Sequence, residues 1–363
     1  TVTVKNSVNS GSIGADQTLC YYSMPFAINE LSGASGGSGD YAYSWESSLN
    51  NVDWSVIPAA SMVNYQPNNL AVTTYFRRKV TDLTCGSAYS NIVTITVRPI
   101  LNVGTIGDNE TICYSTSPSA IVSKVNPSGG TGNYTYLWER TTDGSSWTEI
   151  AGTNTPTYQP NILTQTTIYR RKLTDLCGVG YSNKDTVFVR QPLLSGSIGS
   201  DQTICYGSAP SDIFFTSTPS GGTGNYTYQW ESSSNGIDFA SLSGKTSNFL
   251  SVGNLTADKF YRVKVTSEDC GTVTTNTVKI SVLSDFNSGS IGSDQTICYG
   301  STPSTLVNIA SPVGSDNIFS YRWQFLAGVN WTDVESSNTP NFTPTISSTT
   351  IFRRVAVNAC GEK

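Results

Sequence analysis

The sequence predicts an all-β protein, a tandem array of immunoglobulin-like β-sandwich domains with one disulfide per domain. Three observations predict it: a motif set that recurs four times, a strand-like alternation of apolar and polar residues, and eight cysteines in register with the repeat. Gly11 to Cys20 reads GSIGADQTLC, and the segment returns as GTIGDNETIC ending at Cys113 and as GSIGSDQTIC ending at Cys205 and Cys298. These cysteines lie 93, 92 and 93 residues apart, and a tryptophan follows each by 25 residues, at Trp45, Trp138, Trp230 and Trp323. YFRRKVTD, IYRRKLTD, FYRVKVTS and IFRRVAVN come next, each leading to a second cysteine followed by glycine, at Cys85, Cys177, Cys270 and Cys360.

The frame gives four repeats, 10–102, 103–194, 195–287 and 288–363. TVTVKNSVNSG at the start aligns with TITVRPILNVG at 94–104, so residues 1–9 read as the last strand and linker of a preceding repeat. The fourth repeat correspondingly lacks its final strand. Within the second repeat, Tyr134, Tyr136 and Trp138 share one face of a strand, and Trp147 falls on its partner. Asp143-Gly144, like Asn235-Gly236 in the third repeat, signals a two-residue hairpin turn because both residue types accept positive φ. Ile168 to Asp175 follows, with Tyr169 and Leu173 on one face, and then a closing strand Asn183 to Arg190. Six or seven short strands per ~92 residues without a helical period make a sandwich, with the tryptophan on a central strand. The linkers carry Pro99 and Pro192 beside the apolar pairs Ile100-Leu101 and Leu193-Leu194, which predicts a stiff rod.

Composition narrows the function classes. A net charge of −5 gives no field for a phosphate backbone, and no basic run exceeds Arg77-Arg78-Lys79, so no nucleic-acid partner is expected. No apolar run approaches the ~18 residues of a membrane helix, so no membrane insertion is expected of this region. There is no histidine to act as a general base and no GxSxG elbow, and no catalytic residue, cofactor or metal is predicted.

Periodicity leaves two regular pairings for the cysteines. Within a repeat they are 65, 64, 65 and 62 residues apart; from the second cysteine to the next first one the spacing is always 28. The shorter scheme orphans Cys20 and Cys360 and folds an extended closing strand back on itself. The expectation is therefore Cys20–Cys85, Cys113–Cys177, Cys205–Cys270 and Cys298–Cys360, in an oxidising compartment.

Candidate ligand residues are few. Trp54, Trp147, Phe239 and Trp331, the second aromatic of each hairpin, are candidate glycan contacts, against a packing role. Glu46, Glu139 and Glu231 follow the strand tryptophan and point away from the core, as do Lys79, Lys172 and Lys264 on the later strand, which predicts a cross-strand ion pair on an exposed face. Asp16, Asn109, Asp201 and Asp294 read as Asx turns in preference to calcium ligands. The GGTGNY loops at 129–134 and 221–226 need positive φ, and Asn133 and Asn225 head N-glycosylation sequons within and beside them.

The pattern GxIGxDQTICYGSxPS, PSGGTGNYTYxWESS, TxTTxYRRKVTD and CG resembles the tandem immunoglobulin-like repeats of giant cell-surface adhesins of Bacteroidota, which include SprB-type gliding adhesins. That resemblance covers the whole chain. It implies export by the type IX secretion system, an extracellular, outer membrane-associated location, and attachment of cells to surfaces or polysaccharide. The partners it implies are further copies of the repeat and the secretion and gliding machinery. It also marks Thr186, in Asp185-Thr186-Val187, as a candidate O-glycosylation site.

Overall fold

The computed structural model describes residues 1–363, which form strands and turns without a helix. The chain divides into two compact units, Thr1–Val189 and Arg190–Lys363, each holding two repeats.

The first repeat shows the plan. Its strands are β1 (Ser12–Ile13), β2 (Gln17–Leu19), β3 (Glu30–Ser32), β4 (Tyr41–Ser48), β5 (Ser55–Val56), β6 (Thr74–Asp82), β7 (Gly86–Tyr89) and β8 (Val93–Val97). The larger sheet has the order β2-β8-β6-β4-β5, with β7 also on β6. β4 and β6 pair over their whole length, Tyr41 opposite Asp82 through Ser48 opposite Tyr75. The smaller sheet is β1–β3, continued by bridges Ile28–Tyr65 and Ser23–Leu70. A sheet of β2, the closing strand and the central strands facing a sheet built on β1 and β3 is the immunoglobulin-like arrangement, and it recurs in the second and third repeats.

Alternation drives the packing. Along β6 every second residue is buried, and Trp45 on β4 is fully buried with Ile13, Ile28, Phe76, Val93 and Ile95. Burial of the indole N–H is tolerated because it donates to Met62 O at 2.9 Å, as Trp138, Trp230 and Trp323 donate to Thr155, Ser247 and Thr339. The initial glycine of each repeat, with φ of 64° at Gly11, lies where a Cβ would be 2.1 Å from Ser32 O.

One expected detail is extended and another differs. The closing strand of the second repeat, Asp185–Val189, lies within the expected Asn183–Arg190, and a first half, Gly178–Tyr181, precedes it; both pair with Thr167–Asp175. At the break Asn183 turns its amide inward, accepting from Ile106 N and donating to Ile106 O, so the interruption ties the two sheets together. The hairpin at Asp143-Gly144 is wider than a two-residue turn, since its last paired residues are Arg140 and Thr148. Gly144 does take positive φ, 76°, but the Asp143 carboxylate caps the loop, accepting from Ser145 N and Ser146 N at 2.8 and 2.7 Å. Those bonds hold its carboxyl well below the usual range.

The fourth repeat forms the β4–β6 equivalent, Ser320–Ala327 with Phe352–Asn358, and the first half of the closing strand, Gly361–Glu362. No counterpart of β2 forms before Cys298, and Ile297 and Tyr299 are exposed. In the first three repeats this strand hydrogen-bonds only to the closing strand, as β2 does to β8. Residues 1–8 likewise carry no strand, and Val2 and Val4 are exposed.

Candidate functional site

The feature with the clearest functional geometry is the junction between successive repeats. Each linker is gripped by the following repeat's glycine loop: Gly130 N donates to Pro99 O at 2.9 Å and Asn102 bridges Ser128, with equivalents at Gly37–Asn6 and Gly222–Gln191. Behind the loop sits a buried aspartate. Asp175 accepts from Thr131 N and Oγ1 on one oxygen and from Cys177 N on the other, and Asp82 does the same with Ser38, Thr84 and Cys85. The hydroxyl of Ser38, with these amides, holds the Asp82 carboxyl well below the usual range. The glycine loops take the predicted positive φ and cradle the linker backbone and this carboxylate.

Beside that loop lies the second cysteine, and here the expected pairing is overturned. Cys20 bonds Cys177 and Cys205 bonds Cys360, with Cα atoms 5.3 and 5.5 Å apart. Cys113 and Cys270 are also disulfide-bonded, while Cys85 and Cys298 are free thiols. None of Cys20–Cys85, Cys113–Cys177, Cys205–Cys270 or Cys298–Cys360 forms, and the chain carries three disulfides across four repeats instead of one per domain. The reason is the parallel pairing of β2 with β8, Leu19 opposite Val97, which puts Cys20 at the far end of its repeat. Cys85 follows β6, opposite the start of the closing strand, at the near end. The two halves of the closing strand, Gly86–Tyr89 and Val93–Val97, carry the chain through eleven residue steps, up to ~36 Å, against the ~7 Å limit for a disulfide. Within each unit the far end of the first repeat meets the near end of the second, so Cys20 finds Cys177 and Cys205 finds Cys360.

The outer face of the large sheet carries a second recurring cluster. The predicted carboxylates are buried, with Glu46, Glu139 and Glu231 at 7%, 5% and 2% exposure, and the partner is arginine where lysine was expected. Arg77, Arg170 and Arg262 each reach Oε2 through Nε at 2.6–2.8 Å. Lys264 alone of the three lysines also reaches its glutamate, at 2.9 Å, whereas Lys172 lies 3.8 Å from Glu149. Although burial pushes Glu231 up, Lys264 and Arg262 hold it below the usual range. In the fourth repeat Gln324 accepts from Arg353 Nε instead.

The candidate glycan aromatics belong to this cluster. A guanidinium lies over each ring, Arg77 over Trp54 at 4.2 Å, Arg170 over Trp147 at 4.0 Å, Arg262 over Phe239 at 4.0 Å and Arg353 over Trp331 at 4.4 Å. Arg77 and Arg170 also lie over the rings of Tyr89 and Tyr181, at 4.0 and 4.2 Å. The rings are half-buried, with one face taken. Asp16, Asn109 and Asp201 do not cap local turns; each accepts from a backbone N–H at the start of the closing strand, Thr94, Thr186 and Lys279. Thr186 is half-buried in that strand, and Asn133 and Asn225 are exposed. No three His, Cys, Asp or Glu side chains converge as a metal site would need.

Sequence reasoning missed a third element, the other arginine of the RR pair. Arg78 and Arg171 are fully buried, and Arg354 nearly so. Arg171 Nη1 donates to Ser123 Oγ and Pro156 O at 2.6 and 2.7 Å, and Nη2 to Val103 O at 3.2 Å. Its place in the alternation, in phase with Tyr169 and Leu173, was the available signal.

Solved structures similar to this chain include titin domains I67–I69 in an E-to-A variant, 14% identical, covering 76% of this chain and 98% of that one with a TM-score of 0.43. The three N-terminal domains of the bacteriophage RB49 highly immunogenic outer capsid protein are 12% identical and cover 75% and 99%, with a TM-score of 0.35. Sidekick-1 immunoglobulin domains 1–4 are 13% identical and cover 98% and 96%, with a TM-score of 0.29. No curated protein matches the chain. A family model described as "Domain of unknown function (DUF8696)" matches residues 9–99, 102–191, 194–284 and 287–363, and the chain belongs to that family, in four tandem copies.

Proposed function

We propose that the chain is a non-catalytic stalk within a large bacterial surface protein, extracellular and outer membrane-associated, that mediates attachment of cells to surfaces and serves gliding motility. The observation that carries the reading is covalent: Cys20–Cys177 and Cys205–Cys360 each join one repeat to its successor, an arrangement suited to an oxidising compartment and to a linear support. Buried chemistry in each repeat serves packing, with the carboxylates, arginines and aromatics engaged with one another. The partners are further copies of the repeat, the surface or polysaccharide to which the cell attaches, and the secretion and gliding machinery suggested by the sequence resemblance.

Small-angle scattering and a glycan array test it. The expected results are a rod-like profile and no saturable glycan binding. A globular profile would overturn the stalk. Saturable binding lost in Trp147→Ala, with the melting transition intact, would replace the reading with a carbohydrate-binding array through Trp54, Trp147, Phe239 and Trp331.

A further inference from the structure

We propose that the disulfides of this chain form a load path that keeps the bodies of the repeats out of tension. The proposal rests on the stalk reading and gives it a mechanism. A pull along the polypeptide follows the shortest covalent route. From Cys20 that route crosses the disulfide to Cys177, runs 28 residues along the chain to Cys205, and crosses the second disulfide to Cys360. Fully extended, those 28 residues span only ~95 Å, whereas the 340 residues from Cys20 to Cys360 span more than ~1,100 Å.

Everything between Cys20 and Cys177, and between Cys205 and Cys360, is thus bypassed. The bypassed loops contain all four buried tryptophans, Trp45, Trp138, Trp230 and Trp323, and all four pairings of the β4–β6 type. The loaded segment holds both halves of one closing strand, Gly178–Tyr181 and Asp185–Val189, then a linker and the short strands Ser197–Ile198 and Gln202–Ile204. A stalk of ordinary sandwiches lengthens as each domain unfolds in turn, since each domain lies in series with the load. Here the pairing between neighbouring repeats removes most of that slack while leaving each repeat free to fold from its own segments. Pairing within each repeat would be a weaker device, since three 28-residue segments would remain in series and lengthen to ~290 Å.

The test is single-molecule force extension of the whole chain held by handles at its two ends, with and without dithiothreitol. Oxidised protein is expected to release no more than ~95 Å between Cys20 and Cys360, and reduced protein about tenfold more. Cys20→Ser is expected to release a further step of several hundred Å in oxidised protein, and Cys85→Ser none, because Cys85 is a free thiol. Peptide mapping without reduction is expected to recover Cys20–Cys177 and Cys205–Cys360 as linked pairs. An oxidised extension of ~290 Å or more, or recovery of Cys20–Cys85, would overturn the load path and leave the stalk reading standing. A globular scattering profile would remove the stalk without touching the extension measurement.

Discussion

The second and third repeats fill the same place in the core by opposite means. In the second, Arg171 is fully buried, bracketing Ser123, Pro156 O and Val103 O, with the ring of Tyr136 5.2 Å away. In the third, the same register position is Val263, and Ser123 is matched by Phe215, whose ring meets Tyr228 at 5.3 Å. Polar partner goes with arginine and aromatic partner with valine. The consequence reaches further along the strand. Val263 and Val265 join one continuous cluster with Trp230, whereas Leu173, equally buried, is cut off from the Trp138 cluster by Arg171. A buried guanidinium is tolerable only where hydrogen bonds offset its desolvation; both Nη groups of Arg171 donate while its Nε has no partner, and burial holds it below its usual range. The sandwich therefore needs a filled site with matched partners, not a particular residue.

The sharpest way to break this comparison is to exchange one partner alone. Val263→Arg puts an unpaired charge against Phe215 and is expected to cost at least ~4 kcal/mol, read by denaturant unfolding of the whole chain. Arg171→Ala, which leaves Pro156 O and Val103 O without a donor and opens a cavity, is expected to cost about 2–4 kcal/mol. Combining Arg171→Val with Ser123→Phe imitates the third repeat and is expected to fall within ~1.5 kcal/mol of the parent, and a loss as large as that of Arg171→Ala would refute the matched-partner account.

A second contrast sharpens it further. Where the first and third repeats bury Val93 and Val278, the second buries Asp185, one of whose oxygens has no partner. Burial, with Glu110 and Asp108 nearby, raises its carboxyl above the ordinary value. A raised carboxyl is disfavoured in its ionised form by the fold, so its cost is present above the folded value and vanishes as the pH falls below the ordinary carboxylate range. Asp185→Val is thus expected to stabilise the chain by about 1–3 kcal/mol at neutral pH, with the gain shrinking toward pH 3. A gain that is constant across that range would exclude ionisation as its cause. The smallest effect is expected for Glu139→Gln, which keeps an acceptor for Arg170 as Gln324 does for Arg353, at about 1 kcal/mol in the same assay.

Much of the fold was legible without coordinates because it depends on local periodicity. The fourfold frame, the strand tryptophan and the alternation of Tyr169 and Leu173 all follow from spacing in the sequence. The site was legible only in part. Glu139 was correctly placed off the core face, but its partner came out as Lys172 when the structure pairs it with Arg170. In the antiparallel register Arg170 stands directly opposite Glu139 while Lys172 stands opposite Leu137, a detail that alternation alone does not supply. Arg171 went unrecognised as a core residue because composition marks arginine as a surface residue, and only its hydrogen-bond partners make burial tolerable.

The disulfides show the division most clearly. The sequence by itself determined that eight cysteines recur in phase with the repeat and that any pairing must be regular along the array. Regularity cannot choose a register, because bonds within a repeat and bonds to the next repeat are equally periodic. That choice was made by the tertiary structure, through the parallel pairing of β2 with β8, which carries the first cysteine to the end of the repeat where the next one begins. Distance in space, set by strand direction, decides which sulfur atoms can meet, and strand direction is not written in spacing.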